Sequence, residues 1–336
     1  MPLINNLQLT CISICTECRE NTAFHVKVMR WTPRRLWTKV LCSSYRRRRG
    51  KGAGLPRVLP LRVGRITFGP YYNCSLDNVV WTTGVKQITF GRNFNQSLDC
   101  ITWPSALTSV RLGCGFNSPI ESVRWPMSLE KIQFGCGFNQ RLDGVSWPPC
   151  LQEIDLGANF NHPIGGVKWP RGLKRIALGS SFNHPIEDVR WPEGLMEIEF
   201  SLMFDQPVED VVFPDSVEII DFNVSFNQKV AHVKWPSKLR HLTFGCLFNE
   251  TLRETHLPSG LQVLEMGCGW NQSLVGTTLP RDLLFLFLGR DFDQELDKVA
   301  WPQKLRVLNL ENRKPSRASQ MPQFMNKSRA LSRTFQ

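Results

Sequence analysis

The chain has 336 residues, 42% of them hydrophobic and 21% charged, with a formal net charge of +12. That balance is ordinary for a folded protein and excludes wholesale disorder. No apolar run reaches the ~18–20 residues that a membrane-crossing helix needs, and the start, MPLINNLQLTCISIC, lacks the positive leader of a secretory signal.

The charge is unevenly placed. Residues 1–58 carry 12 Lys+Arg against 2 Asp+Glu and residues 311–336 carry 6 against 1, which leaves 59–310 with 23 against 26. Basicity belongs to the two ends, so the body does not read as a surface that coats nucleic acid. The expectation is a soluble intracellular protein, cytoplasmic or nuclear, with no transmembrane segment. Its 11 cysteines are then expected to be mostly thiols.

The first segment, 1–58, is basic and contains Cys11, Cys15 and Cys18, followed by His25 and Cys42. The first three have iron–sulfur spacing, but the βα units that would surround such a cluster do not follow. Cys15, Cys18, His25 and Cys42 supply enough ligands for zinc, at irregular intervals. Chance placement is the third reading, and no cofactor or metal is expected. Arg46, Arg47, Arg48, Arg49 and Lys51 lead into a glycine-rich linker. Nuclear targeting, RNA or anionic-membrane contact, docking onto an acidic face, and a plain solubilising linker are all open for them.

From 59 to 310 the chain is a repeat with a period of 22 residues and no insertion. Coils begin at Leu59, Trp81, Trp103, Trp125, Trp147, Trp169, Trp191, Phe213, Trp235, Leu257, Leu279 and Trp301. The same apolar slots recur in each, for example Leu129, Ile132, Phe134, Phe138, Leu142 and Val145. A unit this short cannot bury its own apolar face, so stacked neighbours must bury it. Leu-x-x-Ile-x-Phe-Gly, as in LEKIQFG at 129–135, ends in alternation and predicts a short strand, with the Gly permitting a turn that other residues resist. The Pro that follows the Trp in most coils, though not at Trp81-Thr82, fixes a corner. Too few residues remain for a three-turn helix, so the return side is predicted to hold turns or a short 3₁₀ piece.

One slot holds Asn73, Asn95, Asn117, Asn139, Asn161, Asn183, Asn227, Asn249 and Asn271, with Asp205 and Asp293 as substitutes. An amide both donates and accepts, so stacked copies could satisfy turn groups as a ladder. The alternative is that Asn merely tolerates a left-handed turn.

The segments Phe116-Asn117-Ser118-Pro119-Ile120, Phe160-Asn161-His162-Pro163-Ile164 and Phe182-Asn183-His184-Pro185-Ile186 resemble the FNIP repeat, a 22-residue relative of leucine-rich repeats. Trp-Pro for a bare Pro, and Asp205, Val208 and Asp293 within the motif, depart from it. The resemblance implies a mainly β, leucine-rich-repeat-like parallel solenoid of about twelve coils, non-catalytic and used for protein interaction. Some members of that family carry an F-box ahead of the repeats. Residues 1–58 do not show one, which leaves a ubiquitin-ligase adaptor as an alternative that would need helices within 20–45.

On such a solenoid the outward strand side chains flank the Ile slot. They are acidic in the middle coils, at Glu153, Asp155, Glu197, Glu199 and Asp221, and apolar later, at Val263, Phe285, Phe287 and Val307. An aromatic cluster beside carboxylates suits an unidentified protein partner; equally, the C-terminal tail could cover Phe285 and Phe287 as a cap. A second ridge stacks Asp77, Asp99, Glu121 and Asp143, then Glu187 and Glu209. It reads as a solvated edge that Arg124, Lys168, Arg190 and Lys234 could neutralise. Cys114/Cys136 and Cys246/Cys268 share one slot on adjacent coils, within disulfide reach but expected to be apolar fillers. His162 and His184 stack without further metal ligands.

No P-loop, nucleophile elbow or His-Glu-x-x-His occurs, so an enzyme is not expected. The tail, 311–336, is polar and basic and reads as disordered. The expected molecule is a monomeric protein-binding scaffold, with nucleic-acid binding through the basic ends as the alternative.

Overall fold

In a computed structural model the protein is described over residues 63–77 and 79–310 and over two earlier strands, 25–29 and 37–42. It divides into two compact units, one ending at His162 and the other beginning at Pro163. Each unit is an all-parallel leucine-rich-repeat solenoid over its repeats. Among the described residues there is no helix, α or 3₁₀.

Every coil contributes its alternating segment as a strand. In the first unit these are β3 (Val63–Phe68), β4 (Gln87–Thr89), β5 (Ser109–Arg111), β6 (Lys131–Gln133) and β7 (Glu153–Asp155). Each pairs in parallel with the next at a register of one whole period, so Ile88 lies over Val110, Val110 over Ile132 and Ile132 over Ile154. In the second unit they are β8 (Arg175–Ala177), β9 (Glu197–Glu199), β10 (Ile219–Asp221), β11 (His241–Thr243), β12 (Val263–Glu265), β13 (Phe285–Leu288) and β14 (Val307–Leu310). There Ile176, Ile198, Ile220, Leu242, Leu264, Leu286 and Leu308 stack in the same way. A slip of one residue would turn these buried side chains into solvent, which is why the register holds. Before the repeats, β1 (His25–Met29) runs antiparallel to β2 (Trp37–Cys42), and β2 runs parallel to β3. The helices that an adaptor role would need at 20–45 are thus replaced in part by strands.

Three turns close each coil. In the coil beginning at Trp103, Leu107 N–H donates to the Pro104 carbonyl at 3.1 Å, Phe116 to Gly113 at 3.0 Å, and Val123 to Ile120 at 3.2 Å. Proline has no N–H to strand, and its carbonyl accepts, so it serves the corner position without loss.

The glycine after the strand has a second reason beyond turn freedom. A methyl group at Gly91, Gly113, Gly135 or Gly157 would strike the carbonyl of the same glycine slot one coil earlier, and Gly245, Gly267 and Gly289 are equally confined. Of these, Gly157 also takes a positive φ, 77°. Asn223 fills the slot once at φ 60°, a conformation Asn tolerates.

The core is built of repeated stacks. Phe94, Phe116, Phe138 and Phe160 lie with ring centroids 6.1–6.3 Å apart, and Phe182, Phe204, Phe226 and Phe248 repeat the arrangement in the second unit. All eight are buried. Each ring therefore takes its neighbours from adjacent coils, as a quasi-one-dimensional core requires.

Candidate functional site

The strands alternate as a half-buried surface should: the Ile slot points inward and its two flanking residues point out. Ala177 departs from this and is buried.

In the first unit Glu153 is ion-paired with Lys131 of the preceding coil. Asp155 accepts from Gln133 Nε2 at 2.9 Å and from the Gly157 N–H at 3.0 Å. In the second unit one guanidinium serves two carboxylates: Arg175 Nε reaches Glu197 at 2.8 Å while its Nη2 pairs with Glu199. Asp221 accepts from the Asn223 N–H at 2.9 Å, and His241 Nε2 lies 3.2 Å from Glu265. The acidic stripe is therefore compensated only in part: Lys131 offsets Glu153 and the one charge of Arg175 is shared by Glu197 and Glu199, while Asp155 and Asp221 accept from neutral donors. Such half-exposed pairs contribute little stability each; what they do is orient the side chains.

Phe285 and Phe287 are half-buried rather than fully exposed. Cross-strand neighbours account for this: Phe285 lies between Val263 and Val307, and Phe287 between Glu265 and Asn309. Apolar surface continues along the same face at Ile219, 37% exposed, and Val307, 38% exposed.

A second apolar patch follows from slots where the sequence reading made no selection. Leu202, Met203, Val224 and Leu247 all project from the turn after the strand, with Met203 at 57% and Leu247 at 59% exposure. Their backbones are tied coil to coil, Met203 N–H to the Ser180 carbonyl and Leu247 N–H to that of Val224. The signal was available: the two turn slots carry Arg92-Asn93, Ala158-Asn159 or Asp291 elsewhere, so consecutive apolar residues there are a departure.

In each unit the asparagine slot forms an edge bonded from coil to coil. Asn139 Oδ1 accepts the Asn161 N–H at 3.0 Å, Asn117 Oδ1 that of Asn139 at 2.8 Å, and Asn95 Oδ1 that of Asn117 at 2.8 Å. Asn73 begins the series toward Asn95. In the second unit Asn183 serves Asp205, Asp205 serves Asn227, Asn227 serves Asn249, Asn249 serves Asn271 and Asn271 serves Asp293. The side-chain oxygen accepts in every case, so Asp205 works as well as Asn.

The cysteines are not core fillers. Cys114 and Cys136 are exposed and joined by a disulfide, while Cys246 is exposed and Cys268 half-buried. On the acidic ridge, Asp143 pairs with Arg141 of its own coil. His162 hydrogen-bonds the Asn139 carbonyl. Among the described residues no group of three His, Cys, Asp or Glu side chains could hold a metal ion, and no helix is long and apolar enough to cross a membrane. Cys11, Cys15, Cys18, Arg46, Arg47, Arg48, Arg49, Lys51 and the tail after 310 lie outside the described residues.

Set beside known proteins, residues 204–247 match the FNIP Repeat family, and residues 65–184 match the BspA type leucine rich repeat region. The chain carries FNIP-type leucine-rich repeats. The structure of CroV588, a circular LRR protein, is 33% identical with a TM-score of 0.63, over 75% of this chain and 40% of that one. The chain thus spans two fifths of the length of that relative. In the Toll–Spätzle complex from Drosophila, one chain is 16% identical with a TM-score of 0.51, over 82% of this chain and 43% of that one, which is a likeness of fold. No curated protein matches. Repeats of this kind are, as a class, interaction scaffolds rather than catalysts.

Proposed function

We propose that this protein is a non-catalytic scaffold that holds a protein partner against the strand face of its second unit. Phe285 and Phe287 are the apolar anchors, and Glu197, Glu199 and Asp221 are the polar contacts that set register. In the first unit Glu153 and Asp155 play the same polar role on that unit's own strand face. The observation that supports this reading is the apolar run Val263, Phe285, Phe287 and Val307, with Ile219 beyond His241 on the same face. It displays these side chains on a fully paired parallel ladder, and such a rigid surface loses little entropy on binding. Because Arg175 already holds both central glutamates, attraction of a basic partner is secondary and the apolar contact carries the affinity.

The test is affinity capture with Phe285→Ser and Phe287→Ser proteins whose circular dichroism and melting match the parent. Capture of the partner is expected to fall about tenfold or more, the scale of a buried aromatic anchor. Capture equal to the parent's would remove this face from contention.

A further inference from the structure

The turn slot after the post-strand glycine repeats a chemical pattern in both units. In the first it reads Arg92, Cys114, Cys136, and in the second Cys246, Cys268, Arg290: two adjacent cysteines flanked by an arginine in the same slot. One whole period separates each neighbour, so the spacing between them is the coil rise. That rise brings the Cα atoms of Cys114 and Cys136 to 4.5 Å, inside the span a disulfide bridges.

The second pair is held by the same kind of scaffold. Gly269 N–H donates to the Cys246 carbonyl at 3.0 Å, Leu247 N–H to that of Val224 at 3.0 Å, and Asp291 N–H to that of Cys268 at 2.9 Å. The register is therefore fixed on both sides of the slot. Cys268 Sγ lies 4.0 Å from the Cys246 carbonyl oxygen, which places it over the preceding cysteine. Cys246 is exposed, so a small molecule can reach it. The hydrogen bond to Cys246, together with desolvation, holds the Cys268 thiol above its ordinary range, and the charge of Arg290 offsets only part of this.

We propose that Cys246 and Cys268 are a cross-coil redox pair, converted from two thiols to a protein disulfide by exchange with a small-molecule disulfide. Cys246, the more exposed sulfur, attacks as its thiolate. The S–S bond of the reagent breaks, one small thiolate leaves and a mixed disulfide forms. Cys268 then loses its proton to water and attacks Cys246 Sγ, releasing the second small thiolate. Two protein thiols are oxidised, one small disulfide is reduced to two thiols, and the protons pass to the medium. Cys100 and Cys150 are free cysteines whose slots hold Ser122 and Gly172 one coil on. They have no such neighbour and serve as internal controls.

The experiment incubates the full chain in graded mixtures of reduced and oxidised glutathione, alkylates remaining thiols, and maps peptides without reduction. A peptide joining Cys246 to Cys268 is expected, while Cys100 and Cys150 stay alkylated or carry glutathione. In a Cys268→Ser protein, Cys246 should instead accumulate glutathione; serine already stands in this slot as Ser180. The proposal is overturned if Cys246 and Cys268 are alkylated as fully as Cys100 when Cys114 and Cys136 are bridged, or if the parent protein shows only glutathione adducts.

Discussion

Gly135→Ala would drive a methyl group into the Gly113 carbonyl and the Cys114 amide one coil earlier. Backbone on both sides is pinned by strand pairing and turn bonds, so relief means displacing a coil. The expected cost is roughly 1–3 kcal/mol, read as a lowered urea midpoint. Gly260→Ala is the matched control: nothing lies within 4 Å of the added atom, and the loss of unfolded-chain freedom should leave stability unchanged or raised by about 0.4–1 kcal/mol. Equal effects at the two sites would refute the close-approach explanation. A single titration is also visible at this scale. The Lys304 ammonium hydrogen-bonds Asp282 at 2.6 Å and holds its carboxyl below the usual carboxylate range. A depressed folded value means the stabilisation is complete above the ordinary carboxylate pKa and is lost as pH falls through the folded one. Acid melts of the parent should therefore fall more steeply below about pH 4 than those of Lys304→Met; superimposable curves would show that the pair does not contribute.

Among the elements, the asparagine edge uses one half of what an amide offers, since an amide both donates and accepts. In the structure the oxygen accepts the backbone N–H of the next coil, and Asp205 Oδ1 takes the Asn227 N–H at 2.9 Å as an amide would. Asn139→Ala should then cost about 1 kcal/mol, the net worth of one such bond, whereas Asn139→Asp should cost measurably less at neutral pH. Denaturant melts distinguish them, and an equal loss for both would return the role to the amide nitrogen. The strands themselves were legible because apolar and polar positions alternate at LEKIQFG and its counterparts. The sharing of one arginine by two glutamates was not, since Glu197 and Glu199 lie two residues apart while the arginine that holds both comes from the coil before.

For the molecule as a whole, a period without insertions has a consequence that a heterogeneous fold would not share. Within the first unit, deleting residues 125–146 joins Arg124 to Trp147 and preserves every stack in register. That protein should still unfold cooperatively with native-like circular dichroism, because nearest-neighbour interfaces are lost and re-formed in kind. Deleting residues 125–135 shifts all later coils out of phase, sets core phenylalanines against turns, and should give aggregated or unfolded material. A half-period deletion that folded as well as the whole-period one would contradict the repeat as the unit of stability.

The period alone determined the parallel ladder, its register and the identity of the buried side chains, because equal spacing puts like residue over like and an apolar slot can be covered only by the coils beside it. What only the tertiary structure decided were the pairings that depend on reach and rotamer across the coil rise. These are the fork of Arg175 onto two glutamates, the bridge between Cys114 and Cys136, and the exposure of Leu202, Met203, Val224 and Leu247. A pattern of residue types records which slots neighbour one another; it does not record how far each side chain extends once it is there.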